Sequence, residues 1–191
     1  MNFEQIENGE IAFEKDWLTN YESNAYFKKF QNTLPFHQGN ITIFGKTYPI
    51  PRLEAFFATD NQRYSYSGKT LISHTFTPEL LDIKRKIEEI SGETFNCVLV
   101  NLYRDGQDSN GWHADNEPEL GKNPSIASLS LGASRRFDLR HNISNQKLSF
   151  ELNHGSLLVM KGEIQHFWKH QIAKTKKVTE PRINLTFRTI N

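Results

Sequence analysis

From residue 95 onward the chain alternates short apolar, β-branched or aromatic runs with turn residues, and no other feature limits its fold as much. The pattern predicts strands at Asn96–Tyr103, Ile126–Leu131, Arg136–Arg140, Lys147–Leu152, Ser156–Met160, His166–Ile172 and Arg182–Thr189. In the fourth of these, Leu148, Phe150 and Leu152 alternate with polar neighbours, as a half-buried strand requires. So many short strands in one half of a chain predict a mainly β fold, a sandwich or jelly roll with helices packed outside it. The stretch from Trp112 to Asn123 carries Gly, Pro, Asn and charges and reads as a long loop between strands, a common place for functional residues.

Upstream, Thr77 can cap a helix over about residues 78–90, with Pro78 in its first turn. Leu80, Ile83, Ile87 and Ile90 give that helix one apolar face, and Gly92 suits its C-terminal end. A second, peripheral helix is expected within residues 1–35, where Tyr26 or Phe27, Phe30 and Leu34 recur near helical spacing. Between the two lies a strand-like run, Gly39-Asn40-Ile41-Thr42-Ile43-Phe44-Gly45. With 191 residues, no internal repeat and no linker, one domain is expected. Fourteen Phe residues point to a core rich in aromatic rings.

No stretch approaches the roughly 18 consecutive apolar residues of a membrane span. The opening residues lack the basic-then-apolar order of a secretory signal, and the lone Cys97 fits a reducing compartment. An intracellular chain is therefore expected, cytoplasmic in a bacterium or nuclear in a eukaryote. The net charge of +1 neither demands nor excludes a polyanionic partner. Lys174, Lys176 and Lys177, and the pair Arg135-Arg136, can hold phosphates or simply be solvated.

Chemistry enters with Trp112-His113-Ala114-Asp115. On extended backbone, side chains two positions apart point the same way, so His113 and Asp115 could bind one metal ion. With seven histidines in the chain, such a pair also arises without a metal. A second, distant His would complete a two-His, one-carboxylate set that leaves coordination positions open and suits iron(II). His141, His154, His166 and His170 are the candidates, and His166 and His170 share strand parity, so periodicity does not choose between them. In the C-terminal run, Ile183, Leu185 and Phe187 face one side while Arg182, Asn184, Thr186 and Arg188 face the other. Two arginines on one buried face need an anionic partner, and a dicarboxylate would answer that need. An edge strand with a solvent-facing polar side is the other reading.

Four motifs occur in order: Asn101-Leu102-Tyr103, His113-Ala114-Asp115, Phe167-Trp168-Lys169-His170 and Arg182-x-Asn184-x-Thr186-x-Arg188. Together with Ser130-Leu131-Gly132-Ala133 and the run from Leu152 to Met160, they resemble the AlkB family of iron(II)- and 2-oxoglutarate-dependent dioxygenases, over about residues 40–190. The resemblance implies a double-stranded β-helix (jelly-roll) core over about 93–191, preceded by an extension and nucleotide-recognition region over about 1–92. It implies iron(II) held by His113, Asp115 and His170. It assigns 2-oxoglutarate to Arg182 and Tyr103 at the distal carboxylate, and to Arg188 and Asn101 at the end that chelates iron. Dioxygen is the remaining co-substrate. The implied reaction couples oxidative decarboxylation of 2-oxoglutarate to hydroxylation of an N-alkyl carbon, after which the hemiaminal releases formaldehyde and restores the base.

Within the family, Ile43-Phe44-Gly45-Lys46, Pro51-Arg52 and Tyr64-Ser65-Tyr66-Ser67-Gly68 resemble the nucleotide-recognition region of members that repair duplex DNA. By that resemblance Phe44 is a wedge in the base stack, and Tyr66 stacks on the flipped base with Tyr64 nearby. Glu117 would read an exocyclic amino group, which adenine and cytosine carry. Arg52, Arg135, Arg136 and the lysine cluster become candidate phosphate contacts. The implied substrates are N1-methyladenine and N3-methylcytosine in alkylated DNA, duplex first, with single-stranded DNA or RNA as alternatives. A monomer is expected. The same chemistry on a protein or small molecule, or a binding module without chemistry, are the competing readings.

Overall fold

The computed structural model describes every residue except 44, 60–63, 67–68 and 72, and gives residues 43, 64–66 and 69–71 as backbone only. The phenylalanine expected as a wedge, Phe44, and the side chains of Tyr64 and Tyr66 therefore lie outside the described residues.

The elements run, in chain order, β1 (Glu4–Ile6), β2 (Gly9–Glu14), α1 (Asn20–Thr33), β3 (His37–Ile43), β4 (Lys46–Ala58), β5 (Tyr64–Tyr66), β6 (Lys69–Leu71), β7 (Ser73–His74) and α2 (Pro78–Ser91). They continue as β8 (Cys97–Tyr103), β9 (Asn110–His113), β10 (Ile126–Gly132), β11 (Arg135–His141), β12 (Lys147–Leu152), β13 (Leu157–Lys161), α3 (Ile164–Phe167), β14 (Trp168–Ile172) and β15 (Arg182–Arg188). Thr77 accepts a hydrogen bond from the Leu80 N–H at 3.3 Å, and Gly92 ends α2 with φ of 71°, a conformation glycine adopts without Cβ strain. A reciprocal Thr19–Glu22 capping box starts α1.

The fold is a jelly roll. A large sheet of order β1-β2-β13-β10-β15-β8-β4-β3, with β7 added beside β4, faces a smaller sheet of order β12-β11-β14-β9. On the outer side of the large sheet, Leu80, Ile83 and Ile87 of α2 and Phe30 of α1 pack against Val98, Val100, Leu129, Ile183, Leu185 and Phe187. All of these are buried to within a few per cent, so the helices cover one face of the sheet and leave the other to face its partner. The space between the sheets is filled at one end by Ile126, Phe137, Leu139, Leu158, Met160, Trp168 and Ile172.

Three departures from the pattern reading are informative. The first 35 residues do more than add a peripheral helix, because β2 pairs with β13 from Glu14–Leu157 to Glu10–Lys161. The long strand β4 pairs with β8, so chain from before residue 92 is built into the same large sheet as the C-terminal half. Finally, His166 lies in the helical turn α3 and is exposed; the strand carrying His170 begins only at Trp168. Among the described residues no helix is long and apolar enough to cross a membrane.

Candidate active site

The C-terminal strand β15 runs between β10 and β8 in the middle of the large sheet, and all seven of its residues are buried. That excludes the solvent-facing edge strand. Its apolar residues join the core beneath the helices, and Arg182, Asn184, Thr186 and Arg188 line a pocket between the two sheets. The register with β8 sets Tyr103 opposite Arg182 and Asn101 opposite Asn184, so both neighbours share the pocket face.

Across the pocket, β14 and β9 pair at His170 and His113, whose rings lie 4.2 Å apart, centroid to centroid. Two residues beyond His113 comes Asp115. One potential ligand atom from each of His113, Asp115 and His170 lies within 4.8 Å of the others, a spacing suited to one metal ion. Two of the other candidate histidines are engaged elsewhere: His141 Nδ1 accepts the Ser144 N–H at 3.0 Å, and His154 Nδ1 accepts the Gly132 N–H at 2.8 Å.

Local bonds prepare these ligands. The Gly111 carbonyl can only accept, so its 2.7 Å contact fixes the hydrogen of His113 on Nδ1 and turns the lone pair of Nε2 into the pocket. There the Asn110 amide Nδ2 donates to Nε2 at 3.0 Å. Arg188 binds Asp115 Oδ2 through Nε at 3.1 Å and Nη2 at 2.7 Å, while Oδ1, buried and without a hydrogen-bond partner, points to the histidines. Burial alone would raise the Asp115 carboxyl, but the opposing charges, Arg188 foremost, hold it well below the usual carboxylate range. Burial, with His113 adding to it, pushes His170 down to about 3, and burial likewise lowers His113. Both imidazoles are thus neutral, the form that binds a metal.

The same pocket also holds Arg182. It is 1% exposed, and its Nη2 donates to Ser130 Oγ at 2.9 Å. Its Nε and Nη1 are buried without an acceptor, and burial lowers the group to about 10. The Tyr103 ring lies 5.2 Å from its Cζ. A buried guanidinium with two idle N–H groups fits a carboxylate brought in by a co-substrate.

Two arginines expected at phosphates are turned inward instead. Arg52 is 4% exposed; its Nε donates to Asn101 Oδ1 at 2.9 Å and its Nη1 to the Ser109 carbonyl at 3.1 Å. Arg135 is 3% exposed and donates to the carbonyls of Asp105, Asp108 and Ala173. Each satisfies backbone or amide oxygens from inside the fold, which a long cation does when its stem is buried and its head has acceptors. By accepting from Arg52, Asn101 turns its Nδ2 hydrogens, not its oxygen, to any carboxylate in the pocket. Arg136, Lys174, Lys176 and Lys177 remain at the surface, with Arg136 paired to Asp138 at 2.6 Å. Glu117 is half-buried at the start of a short helical turn, Pro118–Leu120, two residues past Asp115.

Comparison with known proteins is consistent with this geometry. The model of the 2OG-Fe(II) oxygenase superfamily matches residues 11–188. DNA oxidative demethylase ALKBH2 of Mus musculus is 37% identical over 180 residues, covering 88% of this chain and 75% of its own length. This chain belongs to the AlkB family. A second AlkB relative, alpha-ketoglutarate-dependent dioxygenase alkB homolog 3 of Bos taurus, is 39% identical over 179 residues. This chain spans 62% of that protein and 65% of the bovine ALKBH2, so the curated relatives are longer. The solved structure of OsALKBH1 superposes with a TM-score of 0.68 at 17% identity, covering 97% of this chain and 100% of that one, which speaks for the AlkB fold alone. Iron(II) and 2-oxoglutarate are the cofactor and co-substrate of this family, and the donor set described above fits both.

The depressed imidazoles make a pH prediction for the AlkB chain kept metal-free with a chelator. Unfolded histidine titrates near about pH 6.5, so below that, and down to about pH 3 for His170, the unfolded chain binds protons that the two folded imidazoles refuse. Stability is therefore level above about pH 6.5 and falls as pH drops, with Asp115 adding a further loss below about pH 4. Urea midpoints at several pH values check this; a midpoint unchanged down to pH ~5 contradicts it.

Proposed function

We propose that the chain is an oxidative demethylase of alkylated DNA, with N1-methyladenine and N3-methylcytosine as substrates and duplex DNA as the preferred form. The observation that carries the reading is the meeting, in one pocket, of a His–Asp–His set with a buried arginine that has two idle N–H groups. His113, Asp115 and His170 would hold iron(II), with Arg188 keeping Asp115 ionised. Arg182 would take the distal carboxylate of 2-oxoglutarate beside Tyr103, and Arg188 with the Asn101 amide, oriented by Arg52, would hold the end that chelates iron. When bound, iron(II), 2-oxoglutarate and dioxygen supply the oxidant for the N-alkyl carbon. The names of the relatives, DNA oxidative demethylase among them, support DNA as the substrate.

Glu117 follows the ligand segment and is proposed to accept from the exocyclic amino group of the flipped base, which a cationic methylated base would favour. Tyr66 and Tyr64 are proposed for the base pocket and Phe44 for the wedge. An intracellular monomer belongs to the same proposal.

The test incubates the protein with iron(II), 2-oxoglutarate and ascorbate on matched duplex and single-stranded oligonucleotides, each bearing one N1-methyladenine, and follows product mass. Loss of one methyl group that requires 2-oxoglutarate supports the proposal. Succinate formation with unchanged DNA rejects DNA as substrate and directs the search to RNA, protein or small molecules. Replacing Phe44 by Ala is expected to slow the duplex reaction about tenfold and leave the single strand nearly unchanged, because a wedge offsets unstacking worth a few kcal/mol. Equal losses on both substrates reject the wedge.

A further inference from the structure

The Asp115 backbone lies outside the sheet. Strand β9 ends at His113, where it pairs with His170, and the chain then leaves the ladder. The hydrogen bond given to the Asp115 N–H comes from elsewhere: it donates to Gln165 Oε1 at 2.9 Å. Gln165 sits in the helical turn α3, five residues before His170, and is 1% exposed. Its amide nitrogen faces the sulfur of Met160 at 3.9 Å, and Met160 lines the pocket.

These bonds close a ring. From His113 the path crosses the strand pair to His170, follows the chain back to Gln165, crosses the side-chain hydrogen bond to Asp115, and returns through Ala114. Every member of the proposed ligand set lies on that ring, and only one link in it is a side chain. A pair of strands fixes two imidazoles against each other, but nothing in a ladder fixes a residue two positions past its end. We infer that Gln165 is a positioning residue that, holding the backbone while Arg188 holds the carboxylate, sets Asp115 at ligand distance from the two histidines. It is not in the proposed ligand set and does not line the pocket, and it acts by tying the Asp115 backbone to α3.

The inference rests on the iron reading of the site, and the experiment separates the two. Iron(II) is titrated anaerobically into the protein at saturating 2-oxoglutarate, and the visible charge-transfer band gives the apparent affinity. Gln165→Met keeps the length and removes the acceptor; Gln165→Glu keeps an acceptor oxygen in the same place. Removing a residue that orients a metal ligand typically weakens the metal by about 10- to 100-fold. That loss is expected for Gln165→Met, with Gln165→Glu binding iron more tightly than the Met variant. The 2-oxoglutarate half-saturation at saturating metal is expected to stay within about threefold in both. A purely packing role predicts the reverse order, since Met suits the surroundings of Met160 better than a carboxylate does. Iron affinity within about threefold of wild type in the Met variant, or a Glu variant weaker than Met, overturns the inference. A wild-type protein that shows no band overturns the iron reading and the inference with it.

Discussion

Replacing Asp115 by Ala is expected to abolish metal binding and activity and to destabilise the metal-free protein as well. The two effects have different origins. Loss of the metal follows because the carboxylate supplies the only anionic ligand of the His113–Asp115–His170 set. The stability effect comes from the other oxygen: Oδ2 receives two hydrogen bonds from Arg188, and both partners of the pair are buried to 4% exposure or less. Removing one partner of a buried ion pair costs on the order of 3 kcal/mol, because the remaining charge has been taken out of water. Asp115→Asn separates the effects in part, since it keeps the shape and an acceptor but loses the charge. Urea unfolding with chelator present checks stability, and the anaerobic iron titration checks the metal. An Ala variant as stable as wild type would mean that the ion pair contributes nothing net.

Arg182→Met is expected to move stability and function in opposite directions. The guanidinium is buried among Ser130, Tyr103 and the strand, two of its N–H groups have no acceptor, and its pKa is lowered to about 10 by burial. A buried cation without its counter-charge is unfavourable, so replacement by an apolar side chain of similar length is expected to raise the melting temperature of the protein free of 2-oxoglutarate. Binding of 2-oxoglutarate should weaken by about a hundredfold or more, given about 1.5–3 kcal/mol for each hydrogen bond to a charged group. Iron binding should survive, because Arg182 is not in the ligand set. Thermal melts with and without 2-oxoglutarate read both effects. Loss of stability without the co-substrate would show that Arg182 holds the fold, not the ligand. Such opposition is usual where a site is kept less stable than it could be.

The legible parts of the molecule were those written in local periodicity. The cap and face of α2, with Thr77, Leu80, Ile83, Ile87 and Gly92, lie where spacing puts them. The two faces of β15 follow from alternation alone, although alternation could not say whether its polar face met water or a pocket. That was decided by position in the sheet, a non-local fact. Periodicity left His166 and His170 undecided for a similar reason: both fit a regular strand, and only the helical turn α3 removes His166 from it, while the family resemblance had pointed to His170. Arg52 and Arg135 were read as candidate phosphate contacts, a role that needs an exposed head, and sequence does not give exposure. Their inward course depends on acceptors such as Asn101 and the Asp108 carbonyl, which come from distant parts of the chain. Gln165 and Asn110 gave no signal, since an amide side chain in a turn or a strand is ordinary until its partner is seen. Strand β2 was missed because its partner β13 is far off in sequence.

The place of β15 also bears on how the molecule is made. The strands on either side of it, β8 and β10, precede it in the chain, so until residues 182–188 arrive the large sheet has a slot open along both edges. Filling that slot closes long-range contacts, Arg188 with Cys97 and Arg182 with Gly132 among them, of the kind that fold slowly. One insertion seats the apolar row under the helices and carries Arg182 and Arg188 into the pocket. A nascent or partly unfolded chain lacking that insertion presents neither a site for the co-substrate nor the guanidinium that steadies Asp115. Intermediates with an open slot expose two unpaired strand edges, which makes them the forms most prone to aggregate.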